Sequence, residues 1–200
     1  MKINKNIINK TRRYAKKIHD KTEFIHGSDH ISFVAKHAKY IAKKEGMNVQ
    51  VAEMGALLHD ISQVDMTIKE LLTKNHAIPA AKKAEKFLQS LKLDKEIIEH
   101  ILDTIKYHSS SDIHKAKTKE ALAVYDGDKL DAVGPRGFMR VLCSDTRYEH
   151  PEADIDELYK LAEVEGKKRL TQIRTKTGRR LAKKYFNYTK EFMKGYEKVK

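Results

Sequence analysis

Along most of this 200-residue chain, apolar side chains recur three and four positions apart, and no convincing run alternates with period two. Spacings of three and four gather side chains on one face of an α-helix, whereas a half-buried strand needs strict alternation. The chain is therefore expected to be all-α. Its composition agrees, with abundant Lys, Glu, Ala, Leu and Ile, only three Pro and no Trp. Its length suits one domain with a sizeable core, or one domain plus a small subdomain.

In order, a short basic helix is predicted over 3–17. The turn at 26–30 runs into a second helix with Ser28 or Asp29 as N-cap, its buried stripe opening at His30 and continuing through Val34, Ala38 and Ile41 to a stop at Gly46. Val51, Ala52, Met54, Gly55, Leu57 and Leu58 then form a largely buried helix that ends in His59-Asp60. After a softer stretch at 62–72 comes His76, followed by a helix with Pro79 in its first turn and Ala81, Ala84, Phe87, Leu88 and Leu91 on its apolar face. The next helix, 94–108, carries Ile97, Ile98, Ile101 and Ile105, with His108 extending the stripe. A further buried helix is expected at 121–132, broken in composition by Asp126-Gly127-Asp128, and a new segment starts at Gly134-Pro135. Pro151 is expected to open an acidic helix to Gly166, and 169–192 reads as one long amphipathic helix through Leu170, Ile173, Thr177, Leu181, Tyr185, Tyr188 and Phe192.

Core-facing positions of successive helices thus carry His30, His59, Asp60 and Asp128. Unpaired buried carboxylates are costly, and a cation offsets that cost. Two imidazoles and two carboxylates make a mixed nitrogen and oxygen donor set suited to divalent Mn, Fe, Co, Ni or Zn. With no thiolate, the set is unlike a structural zinc site, and four protein ligands leave positions open for water and substrate.

The ordered set H…HD…D, with His30 in HGSDHISFV, His59 and Asp60 in LLHDI and Asp128 in GDKLDA, resembles the HD superfamily of metal-dependent phosphohydrolases. IKYHSSS, DGDKLDAVGPRGFMR and TGRRLAKKYFNYTKEFM are similar to segments of its small bacterial members, so the likeness spans nearly the whole chain after residue 20. The resemblance implies a single-domain HD-type helical bundle, with residues 1–20 as a basic N-terminal helix and 21–200 as the phosphohydrolase domain closed by a basic amphipathic helix. It implies Asp128 as the ligand of its segment, with Asp131 and Asp126 in supporting roles. It also implies hydrolysis of a phosphoanhydride or phosphoester bond of a nucleotide, with Asp60, His59 and Asp128 at the reaction and Mn, Mg, Co, Ni, Fe or Zn as the cation. His76 and His108 match the order in which two-metal relatives hold a second ion, and a histidine placed like His108 can instead touch substrate phosphate. His26, Lys129, Arg136 and Arg140 are candidates for substrate binding. Two departures stand out: HDISQ lacks the lysine that many phosphodiesterase members carry after HD, and Gln63 stands where members acting on deoxynucleoside monophosphates have glutamate. His37, His100, His114 and His150 are expected on the surface or one layer back.

The alternatives to nucleotide hydrolysis with one ion are a two-metal dinucleoside-polyphosphate hydrolase, a di-iron oxygenase, and a basic nucleic-acid binder with a structural metal. The last draws on charge. Residues 1–17 carry seven Lys/Arg and no acid, and 166–200 carry thirteen against two, so of the net +13 the stretch 18–165 contributes −5. Such termini could attract a polyanion weakly. No aromatic stacking platform accompanies them. The single cysteine, Cys143, excludes an internal disulfide, and no stretch approaches the roughly 18 apolar residues of a membrane span. The expected location is cytoplasmic, and the oligomeric state, a dimer included, is left open.

Overall fold

The computed structural model describes residues 2–21, 27–66, 70 and 75–199. Among these there is no strand, and the fold is all-α. No helix among them is long and apolar enough to cross a membrane. The chain divides into two compact units, residues 1–128 and 129–200.

The first unit is organised around a helix buried on every side. α1 (Lys5–His19) starts where the Asn4 side chain accepts the Ile7 N–H, and α2 (Ser28–Lys44) follows. α3 (Val49–Leu58) is capped by Asn48, which accepts from Gln50 and Val51, and every residue of it from Val51 to Leu58 is buried. A helix apolar all round has to be enclosed. Accordingly α1, α2, α4 (Ala77–Ser90) and α5 (Lys95–Lys106) all pack on α3. Gly55 permits the closest approach, since a Cβ there would strike the Thr104 side chain of α5. The one acid of α3, Glu53, is buried and met by both Arg12 and Lys39. α6 (Lys119–Leu130) begins where the Asp103 carboxylate accepts from the N–H groups of Lys117 and Thr118 and from the Thr118 hydroxyl, and the boundary between the units falls in its last turn.

The second unit consists of α7 (Gly134–Ser144), a π-helical turn (Asp145–Glu149), α8 (Ile155–Gln172) and α9 (Lys176–Val199). Its core includes Phe138, Tyr159, Ala162 and Met193.

Several sequence expectations shift here. Gly27, not Ser28 or Asp29, caps α2. The buried helix expected over 121–132 is α6, helical through Asp126-Gly127-Asp128, where Gly127 lies against the backbone of α2 at Val34 and Ala38, a close packing that only a missing side chain allows. The acidic helix opens not at Pro151 but at Asp154, in a capping box with Glu157. The long helix expected over 169–192 is two helices. Ile173 is extended, and the Thr175 hydroxyl accepts the Gly178 N–H to start α9 afresh, so apolar spacing ran unbroken across a real boundary.

Candidate metal centre

The ends of successive helices of the first unit bring the candidate donors together. His30 lies in the first turn of α2 and is buried. α3 stops at Leu58, so His59 is its C-cap and Asp60 lies beyond the helix. Neighbours within a helix point about 100° apart. Leaving the helix at this point removes that constraint, and both side chains turn to one place.

Two buried imidazoles of the cluster, His59 and His108, are aimed by the same device. The His59 Nδ1 lies 2.8 Å from the Ala56 carbonyl oxygen, and the His108 Nδ1 lies 2.7 Å from the Ile105 carbonyl oxygen. Carbonyls in the last turn of a helix lack an intrahelical donor. Each imidazole satisfies one by donating its Nδ1–H, which assigns the lone pair to Nε2 and points it inward. Sequence reading did not find this anchoring, although its signal is simple: a histidine just past a helix end, three residues after an apolar helical position.

The Asp60 carboxylate is shared between two sets. Its Oδ2 lies 3.3 Å from His59 Nε2 and 3.5 Å from His30 Nε2. Its Oδ1 lies 3.2 Å from His76 Nε2 and 3.6 Å from His108 Nε2. Asp128 Oδ1 is 3.6 Å from His30 Nε2. Donor atoms of His30, His59 and Asp128 lie within 4.8 Å of one another, as do those of His59, Asp60 and His108. Two donors on one transition ion, each about 2.0–2.2 Å from it, sit about 2.9–3.4 Å apart. These clusters can hold a divalent metal.

The polar balance favours a cation there. His59 Nε2 and Asp60 Oδ1 are buried and make no hydrogen bond. Such groups are costly in a protein interior unless something satisfies them. Their protonation also fits. Burial on its own pushes the Asp60 carboxyl up, but the surrounding imidazoles of His59, His76, His108 and His30 bring it well below the usual carboxylate range. Burial pulls the His108 imidazole below its ordinary value, outweighing the opposing pull of Asp60. An ionised Asp60 and a neutral His108 are the forms that bind metal.

The remaining candidates are dispersed. Arg136 and Arg140 both pair with Asp131, a buried residue of the second unit. Lys129 is half-buried and directly follows Asp128. Asp126 is fully buried. Gln63 is buried in a short 3₁₀ turn after the His-Asp pair, and its Oε1 makes no hydrogen bond. His26 lies outside the described residues. Of the histidines expected elsewhere, His37 is buried against Phe33, His100 pairs with Glu120 at 2.9 Å, and His114 and His150 are exposed.

A profile of the HD domain matches residues 27–133, which takes in all six clustered donors. Among curated proteins, the uncharacterized protein YpgQ of Bacillus subtilis is 26% identical over 180 residues, spanning 86% of this chain and 83% of YpgQ. A crystal structure of Bacillus subtilis YpgQ in complex with ADP superposes with a TM-score of 0.74 at 22% identity, covering 96% of this chain and 97% of the other. An HD-superfamily hydrolase from Bacillus thuringiensis gives 0.74 at 25% identity, covering 97% and 96%. A predicted HD superfamily hydrolase from an uncultured Thermotogales bacterium gives 0.68 at 23%, covering 98% and 92%.

Proposed function

The chain belongs to the HD-domain family of metal-dependent phosphohydrolases, and from that premise we propose that it hydrolyses a phosphoanhydride or phosphoester bond of a nucleotide. The observation that carries the reading is the convergence of His30, His59, Asp60 and Asp128, with buried lone pairs on His59 and Asp60 that no protein group satisfies. These four residues would hold the cation. When bound, a divalent ion makes water nucleophilic near neutral pH and draws charge from phosphoryl oxygens. Asp60 contributes a carboxylate that is already ionised. His59 contributes a ring fixed by Ala56, so little side-chain ordering remains to be done on binding. The donors suit Mn, Co, Ni, Fe or Zn, and Mg would use the carboxylates. The nucleotide preference is supported by the ADP bound to the structurally similar YpgQ. Lys129, which directly follows Asp128, and Arg136 and Arg140, which both pair with Asp131, are the cations proposed to meet charge on the substrate phosphate.

The test is a panel of nucleoside mono-, di- and triphosphates assayed for phosphate and pyrophosphate release with Mn, Mg, Co, Ni and Fe. Release from at least one nucleotide, lost in Asp60→Ala, is expected. Silence across the panel would remove the nucleotide assignment.

A second reading, two ions bridged by Asp60, is favoured by one observation: the Asp60 Oδ2 faces His30 and His59 while its Oδ1 faces His76 and His108. A dinucleoside-polyphosphate hydrolase and a di-iron oxygenase are the reactions that go with it. It requires His108→Ala to lower the metal content from two ions per chain to one. Oxygen consumption with bound iron would separate oxidation from hydrolysis.

A further inference from the structure

A different group of metal-binding side chains lies in the second unit and shares no residue with the centre above. Asp145 is the C-cap of α7, and the chain then makes a π turn closed by the His150 N–H donating to the Asp145 carbonyl at 2.7 Å. A π turn is one residue longer than an α turn. It therefore places the fourth and fifth following residues on either side of the first. The donor atoms of Asp145, Glu149 and His150 lie within 4.8 Å of one another.

Clustered acids alone mean little, because exposed carboxylates meet often on surfaces. Asp145 is different. It is only 8% exposed, and among the described residues no hydrogen bond or salt bridge to its carboxylate is found. It sits at the negative end of the α7 dipole, where a carboxylate is disfavoured. Burial, followed by the Glu149 charge, pushes its carboxyl up; His150 pulls the other way, and Glu165 adds to the rise. Glu165 itself is committed to Lys168 and Arg169. Each of these influences but His150 thus opposes the ionised form, and among the described residues no lysine or arginine pairs with it.

We infer that Asp145, Glu149 and His150 form a second divalent-cation site, with Asp145 as the buried anchor and the exposed Glu149 and His150 closing over the ion. Two carboxylates and one imidazole select a borderline transition ion such as Zn, Mn or Co over Ca, which takes six to eight oxygens. The exposed side leaves room for water to complete the coordination. The ion joins the end of α7 to the approach to α8, so it stiffens that connection.

The test is a titration of the full-length protein with Zn²⁺, following the imidazole nitrogen resonances of ¹⁵N-histidine-labelled protein and the number of ions bound. His150 is expected to shift in the wild-type chain and to stay in place in Asp145→Asn, which should bind one ion fewer per chain with unchanged circular dichroism. Glu149→Gln, at an exposed position, should weaken the His150 response at least tenfold and keeps the test decisive if Asp145→Asn fails to fold. Hydrolysis of nucleotide by either variant should match wild type. A His150 resonance that does not move, or that moves equally in wild type and in the folded variants, overturns the site.

Discussion

The two clusters of donors in this chain are built in opposite ways. The centre in the first unit draws on residues from His30 to Asp128, and four of its donors (His30, His59, Asp60 and His108) are buried. The cluster in the second unit lies within six consecutive residues and has one buried member, Asp145. The first cannot exist before the helices have packed, because its donors come from five stretches of chain. In return, its rings are held in place before any ion arrives, as His59 is by Ala56 and His108 by Ile105. The second needs only a local turn, and two of its three donors remain to be ordered on binding. Pre-ordering favours tight and geometrically specific binding; a late-ordered rim favours weaker exchange with solvent ions.

The largest expected effect tests the long-range cluster. His59→Ala, Asp60→Ala and Asp128→Ala should each lower phosphohydrolase turnover more than about a hundredfold, beyond the usual loss from removing a residue that merely orients a ligand. Helical circular dichroism should change little. Full activity in any one of them would take that residue out of the centre, whereas Asp145→Asn, for contrast, should leave turnover intact.

Legibility followed the same division. The helices of the first unit could be read because apolar spacing and caps are local signals, and His30, Val34, Ala38 and Ile41 mark the buried side of α2 unaided. That distant donors meet is not a local signal, and the ordered H…HD…D pattern reached it only through resemblance to a family. What failed was fine local geometry. Ile173 is apolar and correctly spaced, yet its extended backbone ends α8, because the deciding bond runs from Gly178 to a threonine hydroxyl and not through periodicity. The π turn was equally hidden. It changes which residues flank Asp145 without changing composition, so nothing in the sequence set His150 beside Asp145, although its exposure agrees with the expected surface or next-layer position.

Packing should separate the units next. A Cβ on Gly137 would run into the backbone of Ala132, which cannot rotate away, whereas a Cβ on Gly55 would meet the Thr104 side chain and, at 3.4 Å, Val124. Gly137→Ala is therefore expected to cost about 3 kcal/mol or more, and Gly55→Ala about 1–3 kcal/mol, the usual range for overpacking. At about 2–4 °C per kcal/mol for a chain of this size, thermal unfolding resolves the two. A larger loss in Gly55→Ala would reverse the ranking and make the α3–α5 crossing the less yielding contact.

A smaller effect concerns pH. The folded His108 imidazole titrates below its ordinary value of 6.5. Between the folded and unfolded values the unfolded chain binds a proton that the folded chain does not, so stability rises with pH through that window. Metal-free protein should thus lose stability as pH falls below 6.5, and His108→Asn should flatten this slope. Asp60 behaves otherwise: its depressed value means that its contribution is present above 3.8 and is lost only as pH falls well below that. Urea midpoints between about pH 5 and 8 would therefore isolate the histidine, and an unchanged slope in His108→Asn would assign the titration elsewhere.

The smallest effect has the opposite sign and bears most directly on the contrast. Asp145 has a raised folded value, so the folded chain holds a proton that the unfolded chain has released, and stability falls as pH rises from 3.8 through that folded value. At neutral pH the metal-free protein carries the cost of an ionised carboxylate that burial and the Glu149 charge oppose and His150 only partly offsets. Asp145→Asn removes the charge at nearly constant shape, and should raise the melting temperature of metal-free protein by no more than about 3 °C. The same variant should abolish whatever stabilisation saturating Zn²⁺ confers through this turn. Destabilisation of the metal-free chain by Asp145→Asn would mean that the carboxylate is already satisfied without an ion, and the two clusters would then differ in kind and not only in how they are assembled.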